Sequence, residues 1–364
     1  MSLINCGKNI YRKFKFQQLL KKNSTLSVEA AEKILQDFHP QSPPCFRQEN
    51  SIEPQYDVMM IIPVYNTASY LEECIHSVLH QQTRYTYQAV FVNDGSTDTS
   101  GEILDRLVKS PHVIIHKKNG GLSAARNDAL RWITGRYLMF VDSDDILASN
   151  AVDILVKTAD IYGADIVEGS HIFFGEDQVS VVVSHGEYIH PIHYLELYGF
   201  AWGKVISSEL MKDFCFPDGN LFEDTVMPTL LHPTSKNSIA IPDAIYHYRD
   251  NFTGISHTSK NQKAAMDTFW MMKYCLQERI ARGDQLTLEN YERYLTAVHR
   301  NFIRTAHLPD GIQEAIFVLS CELFHRYLPF HYKGTEKRMY LLEQAIQNNS
   351  YMSYRFLMDR WDIL

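Results

Sequence analysis

The apolar run Tyr137–Val141 leads directly into Asp142, Asp144 and Asp145. Carboxylates repel one another, by about 4 kcal/mol for a pair ~4 Å apart at an effective dielectric of 20. A cation, or a ligand that brings one, is the simplest reason to end an apolar segment on three acids. Residues two apart on an extended chain point to the same side. Asp142 and Asp144 can therefore face one ligand, while Asp145 turns to cap the next helix. Two hard oxygen donors with open positions suit Mg²⁺ or Mn²⁺ bridging phosphates. For an isolated Asp-x-Asp, a plain turn with an Asp cap would be the better reading, so the surrounding segments must decide.

Three other stretches carry related groups. In "FVNDGSTD", Asp94 follows an apolar run and Gly95 fits a tight turn. Asp94 can accept hydrogen bonds from a base or ribose, or form an ordinary Asp-Gly turn. "PVYN" places Tyr65 at a similar point, where its ring can stack on a base or pack as an aromatic. "KNGGLSAARN" combines amides near a helix start with Lys118 and Arg126, a set suited to phosphate.

The elements that must position these residues alternate. "DVMMIIPVYN" begins as a strand that Pro63 should end, and "SYLEECIHSVLHQQ" reads as a helix with Ser69 and Glu72 in a capping box. "QAVFVNDGS" is a strand, "TSGEILDRLVKS" a helix and "HVIIH" a strand. "GLSAARNDALRWI" is a helix and "RYLMFVD" a strand. Short buried strands separated by such helices predict an α/β fold with a mainly parallel sheet covered on both faces. Ligands of such sheets bind beyond the carboxyl ends of the strands. That rule points to four turns, at residues 63–66, 93–96, 117–121 and 142–145.

Taken together, "IIPVYNTASYLEECIHSVLHQQ", "FVNDGSTDTSGEIL", "KKNGGLSAARNDAL" and "YLMFVDSDDIL" resemble the family 2 glycosyltransferases in order and spacing. The resemblance covers roughly residues 57–249. It implies a GT-A fold and inverting transfer from a nucleotide sugar, with a divalent metal, Mn²⁺ or Mg²⁺. It implies that Pro63, Tyr65 and Asp94 hold the base, with Asn66 beside them. Asn119 and Arg126 orient the nucleotide, Asp142 with Ser143 meets the ribose side, and Asp144 holds the metal. "AWGKVISSELM" resembles the segment lining the acceptor side, which implicates Trp202 and Lys204, although Gly203 stands where the family often has asparagine. "GNLFEDTVM" resembles the Glu-Asp motif, making Asp224 the base with Glu223 beside it. Without that likeness the two acids would read as the first turn of a helix, complementing its dipole. "YHYRDNFTGISH" resembles the closing segment, with His247 as a metal ligand, though a His between tyrosines is more often a packed strand residue.

Composition narrows the alternatives. The chain has 364 residues, 45% hydrophobic and 21% charged, with a net charge of -8, which argues against nucleic-acid binding. Six cysteines lie far apart without metal-type clustering and read as reduced thiols of a cytosolic protein. Neither a signal-peptide h-region nor a membrane-length apolar stretch is evident. Localisation is therefore expected to be cytoplasmic, with the inner face of the membrane as an option. Residues 1–28 carry Lys8, Arg12, Lys13, Lys15, Lys21 and Lys22 and no acid, with Ile10 and Phe14 four apart. Such a segment can contact an anionic membrane; its short, ragged apolar face favours packing on the protein instead.

The expected organisation is an N-terminal helical extension and linker (1–54), a GT-A domain (55–258) and a C-terminal helical domain (259–364). The tail is a surface for an acceptor, a membrane or a second copy in a homo-oligomer. The expected partners are a nucleotide-sugar donor and a glycan, glycolipid or glycoprotein acceptor, in bacterial surface polysaccharide or protein glycosylation. Two rivals are a nucleotidyltransferase, opposed by the lack of glycine in "PVYNTASY", and a non-catalytic nucleotide-sugar or glycan-binding module, opposed by the retained acids.

Overall fold

Residues 58–64 are apolar without alternation, so they need cover on both faces. The computed structural model supplies it. It describes residue 12 and residues 14–40, 48–175, 178–251, 254 and 263–361. The chain forms two units: an α/β unit, Pro44–His257, and a helical unit of Met1–Pro43 with Thr258–Leu364.

The strands of the α/β unit are β1 (Ser51–Val64), β2 (Tyr87–Asn93), β3 (Val113–His116), β4 (Trp132–Phe140), β5 (Ile146–Leu147), β6 (Ile166–Gly175), β7 (Gln178–Val183), β8 (His190–Pro191), β9 (Lys204–Ser207) and β10 (Ser238–Arg249). They form one sheet in the order β3-β2-β1-β4-β9-β6-β10-β5, with β7 beside β6 and β8 beside β10. β1 to β4 pair in parallel, as do β6 and β10, and β9 runs antiparallel between β4 and β6. The strands that carry most of the sheet therefore point one way.

In chain order the helices are α1 (Val28–Phe38), α2 (Ala68–Leu79), α3 (Ser100–Leu107), α4 (Leu122–Leu130) and α5 (Ala151–Tyr162), all but α1 in the α/β unit. α2 buries Leu71, Ile75 and Val78 of the stripe its periodicity predicts, with Cys74 in place of the expected Leu79. Each such side chain contributes about 1.5–3 kcal/mol on leaving water.

Four local expectations change. Residues 51–54, read as linker, belong to β1, because Ser51 and Ile52 pair with Trp132 and Ile133. Those two partners, read as the end of a helix, therefore begin β4. Pro63 does not end β1, which runs on to Val64. Its missing N–H falls on the β4 side, where pairing has already ended at Ile61 and Phe140. The Ser69–Glu72 capping box does not form. Asp98 takes the Ala68 amide at 3.1 Å and Ser100 the Thr67 amide at 3.1 Å, so a neighbouring loop caps α2.

β1 and β4 approach closely at Gly135. A Cβ there would lie 2.3 Å from Met59 N and 2.6 Å from Tyr137 O, both backbone atoms. Gly135→Ala is expected to destabilise the unit by about 3 kcal/mol, as overpacking does when backbone must move. A urea midpoint equal to the parent's would show that the strands can part at no cost.

The helical unit contains α1 and α6 (Asp267–Ala281), α7 (Leu288–Thr305), α8 (Asp310–Tyr327), α9 (Lys337–Gln347) and α10 (Tyr351–Met358). Leu35 of α1 and Phe16 share a core with Trp270, Tyr291, Phe317 and Phe324. The N-terminal segment thus packs with the tail instead of standing as its own extension. Phe14 is 62% exposed while Phe16 and Leu19 are buried. Lys8, Ile10 and Lys13, from the basic segment, lie outside the described residues. Among the described residues no helix is long and apolar enough to cross a membrane.

Register sets the functional rim. Val64 lies beside Asn93, Asn93 beside His116, and Ile61 beside Phe140. The segments leaving β1, β2, β3 and β4 consequently start next to one another on one edge of the sheet.

Candidate active site

The rim carries an open aromatic. Tyr65 is 48% exposed directly after β1, where its ring is available for stacking. Asn119 is exposed in the loop after β3. Asn66, expected to touch nucleotide, is used inside the protein. It has φ 53°, and its side-chain oxygen accepts from the Thr97 amide at 2.8 Å. Ser143 is buried and accepts from the Thr67 hydroxyl at 3.0 Å. Pro63 is buried within β1.

Asp94 is buried beneath the loop after β3. Its Oδ1 accepts from Gly120 N at 2.9 Å and Lys117 Nζ at 2.8 Å, and its Oδ2 accepts from Gly121 N at 2.7 Å. Three donors on one carboxylate fix that loop to the end of β2. Gly95 sits beneath the same loop at φ 71°, where a Cβ would lie 2.7 Å from Asn119 N. Only glycine meets both demands. Asp94 thus shapes the rim, and its second oxygen retains acceptor capacity.

Arg126, on α4, is 2% exposed. Its Nη1 donates to Glu223 at 2.8 Å and its Nη2 to Asp142 at 2.9 Å. The guanidinium lies 5.1 Å from the Phe216 ring centroid and 6.0 Å from that of Phe140. Burial works against its charge, but Asp142 and Glu223 more than offset this and raise its pKa. The candidate base turn, 97 residues away in sequence, is thereby brought to the acidic turn. Glu223–Thr225 form one 3-10 turn, and Phe222 before it has φ 61°. Asp224 is half-buried beside Glu223, and its charge acts on both Arg126 and Lys204.

The acidic turn is held from β10. Asp145 was expected to cap the next helix; instead it is buried and accepts from the Tyr246 hydroxyl at 2.7 Å and the Arg249 amide at 2.7 Å. The helix α5 starts at Ala151, and its capping position, Asn150, makes no side-chain cap bond. Burial, with Asp144 and Asp142 nearby, pushes the Asp145 carboxyl well above the usual range. The Tyr246 hydroxyl also accepts from the Asp142 amide at 3.0 Å. Arg249 Nε donates to the Asp144 carbonyl at 2.8 Å, and its guanidinium pairs with Glu73. Asn251 donates to Asp144 Oδ2 at 2.8 Å. Burial and the Asp142 charge raise the Asp144 pKa, with Asn251 opposing.

His247 follows Tyr246 on an extended strand, so the two side chains point to opposite faces. The His247 ring lies 6.4 Å from that of Phe174. Burial lowers its pKa. Among the described residues, no three His, Cys, Asp or Glu side chains gather in metal-binding geometry.

The acceptor-side expectation fails for Trp202 and Lys204. Lys204 is 0% exposed, paired with Glu168, and its Nζ donates to the Tyr198 carbonyl at 2.7 Å. Burial pulls its ammonium below the ordinary lysine range, and Glu168 opposes that pull. Trp202 is buried and stacks on Tyr246 with centroids 4.4 Å apart and on Phe200 at 4.5 Å. Both residues are buried, and Trp202 backs the tyrosine that holds the acidic turn.

Several supporting residues were missed at the level of sequence: Lys117, Asn127, Tyr246, Arg249 and Asn251. All stand in quoted motifs, but their type alone did not reveal their partners. Asn127 donates to Phe216 O at 2.7 Å and accepts from Phe216 N at 2.8 Å, so α4 anchors the chain ahead of the Glu223 turn.

Comparison with known proteins identifies the family and the fold. Residues 59–208 match the family described as Glycosyl transferase family 2. The chain is 30% identical over 241 residues to the uncharacterized glycosyltransferase EpsJ of Bacillus subtilis, covering 62% of this chain and 69% of EpsJ. It is 34% identical over 250 residues to glycosyltransferase GlyA of Streptococcus pneumoniae, covering 64% of this chain. That match spans 34% of GlyA, so the chain corresponds to about a third of that relative. Residues 1–349 of S. aureus TarS, crystallised with UDP-GlcNAc, superpose with a TM-score of 0.67 at 19% identity, covering 84% of this chain and 91% of that one. That likeness is one of fold, and it is of GT-A type. The chain belongs to glycosyltransferase family 2.

Proposed function

We infer that the chain is an inverting glycosyltransferase that moves a sugar from a nucleoside-diphosphate sugar, a UDP-sugar, to a hydroxyl of a glycan, glycolipid or glycoprotein in cell-surface glycan assembly. The observation that carries this reading is the Glu223–Arg126–Asp142 bridge, which joins the candidate base turn to the nucleotide rim. Two comparisons support the donor and setting. TarS was crystallised with UDP-GlcNAc. The minor teichoic acid biosynthesis protein GgaB of Bacillus subtilis is 29% identical over 225 residues, covering 57% of this chain and 25% of GgaB.

Tyr65 stacks on the base, and Asp94 holds the loop beneath it. Asp142 and Asp144 face the ribose and diphosphate. The acceptor hydroxyl is a weak nucleophile at neutral pH, so Asp224 takes its proton as it attacks the anomeric carbon from the face opposite the leaving group. The donor set at the acidic turn, hard carboxylate oxygens raised in pKa by burial and mutual charge, fits a hard divalent cation. Asp144, with Asp142 beside it, would hold Mn²⁺ or Mg²⁺. Such an ion, when bound, supplies positive charge against the departing diphosphate.

Two measurements test this reading. Incubation with a panel of nucleotide sugars and Mn²⁺ should give slow hydrolysis of one donor, and no hydrolysis of any would leave a binding module. Asp144→Ala should weaken UDP binding in Mn²⁺ by at least about tenfold, while binding in chelator changes little. Equal calorimetric affinities for variant and parent in Mn²⁺ would remove Asp144 from the metal role.

A further inference from the structure

Arg126 was expected to orient the nucleotide, yet both terminal nitrogens of its buried guanidinium are committed to protein carboxylates. Nη1 meets Glu223 at 2.8 Å and Nη2 meets Asp142 at 2.9 Å. Nε is buried without a hydrogen-bond partner. Phe216 and Phe140 flank the guanidinium. A group held this way has little freedom to reach a ligand. It can, however, fix two loops against each other.

We propose that Arg126 is the positioning residue of the base turn: it clamps Glu223 to Asp142 and so sets where Asp224 stands relative to a nucleotide at the rim. Phe222 at φ 61° turns the chain just before Glu223, a conformation a bulky side chain adopts only when its surroundings impose it. The turn is a single 3-10 turn, closed by the Thr225 amide on the Phe222 carbonyl at 3.1 Å. So short an element has little intrinsic stability, and Arg126 anchors it from the side. The fork geometry matters, because a lysine can satisfy one carboxylate as a point charge but cannot span both. The catalytic part of this proposal rests on the glycosyltransferase reading; the clamp itself does not.

The test uses the whole chain with Arg126→Gln, Glu223→Ala and the double variant. Hydrogen exchange is followed by mass spectrometry in peptides covering residues 218–226. Each single variant should speed exchange there by about tenfold or more. The double variant should exchange no faster than Arg126→Gln, because Arg126→Gln already removes the Arg126–Glu223 contact that Glu223→Ala would break. Unchanged exchange in either single variant, or effects that multiply in the double, overturns the clamp. Glu223→Ala leaves the Arg126–Asp142 pair in place, so it decides the matter even if Arg126→Gln fails to fold.

Turnover supplies the second arm. Glu223→Ala should bind UDP with Mn²⁺ within about threefold of the parent, yet hydrolyse the preferred UDP-sugar about 10²-fold more slowly, the split expected when only transition-state geometry is lost. Faster exchange with normal hydrolysis overturns the catalytic part alone. If the parent hydrolyses no nucleotide sugar, the glycosyltransferase reading fails, and the exchange result still decides the clamp.

Discussion

Asp224→Asn is expected to lower sugar transfer by about 10²- to 10⁴-fold, the usual contribution of a general base, and to leave UDP affinity unchanged. The substitution keeps the shape of the side chain and removes its ability to take a proton at neutral pH. Asp224 is suited to the role by its surroundings. Glu223 is drawn inward to Arg126 and cannot serve as a mobile base, while Asp224 stays half-buried beside it. Its charge acts on two buried cations, Arg126 and Lys204. In the proposed mode of binding, UDP rests on Tyr65 and the acidic turn, neither of which the substitution alters. The measurement is initial rate of transfer or donor hydrolysis alongside calorimetry with UDP and Mn²⁺. Turnover near the parent's would exclude Asp224 as the base. Loss of UDP binding would assign it a structural part instead.

The fold and the rim were legible because their signals are local. Apolar runs of strand length alternate with helical stripes, and each polar turn follows its own strand, so "FVNDGSTD" and "FVDSDD" identify the rim without knowledge of their neighbours. The supports of the site were not legible because each depends on a distant partner. Asp145 finds Tyr246 101 residues away, whereas the sequence offers only a helix soon after it, hence the mistaken cap. Arg126 finds Glu223 97 residues away. A lysine in "WGK" looks like a surface residue until Glu168 of β6 is seen beside it. The general pattern is that strand ends and turn chemistry are written within a few residues, while the identity of a counter-ion is a property of the sheet order.

Lys204→Met is expected to destabilise the α/β unit by about 3 kcal/mol, because removing one partner of a buried pair leaves the other charge without compensation. Glu168, itself buried, would keep His185 at 2.8 Å and the Tyr198 amide at 2.9 Å. These remaining contacts place the cost at the low end of the range for broken buried pairs. The double variant with Glu168→Met should recover most of the loss, since apolar side chains in place of a buried pair are often as stable as the pair itself. Urea midpoints of the parent, the single and the double variant measure this; a single variant as stable as the parent would mean that the pair fastens nothing. The consequence extends to the rim. Lys204 holds the Tyr198 carbonyl, the chain from there carries Trp202, and Trp202 stacks on the tyrosine whose hydroxyl fixes Asp142 and Asp145. If that stack carries the coupling, Lys204→Met will weaken UDP binding although no atom of Lys204 reaches the ligand, and the double variant will restore stability before it restores affinity, because methionine does not hold the Tyr198 carbonyl.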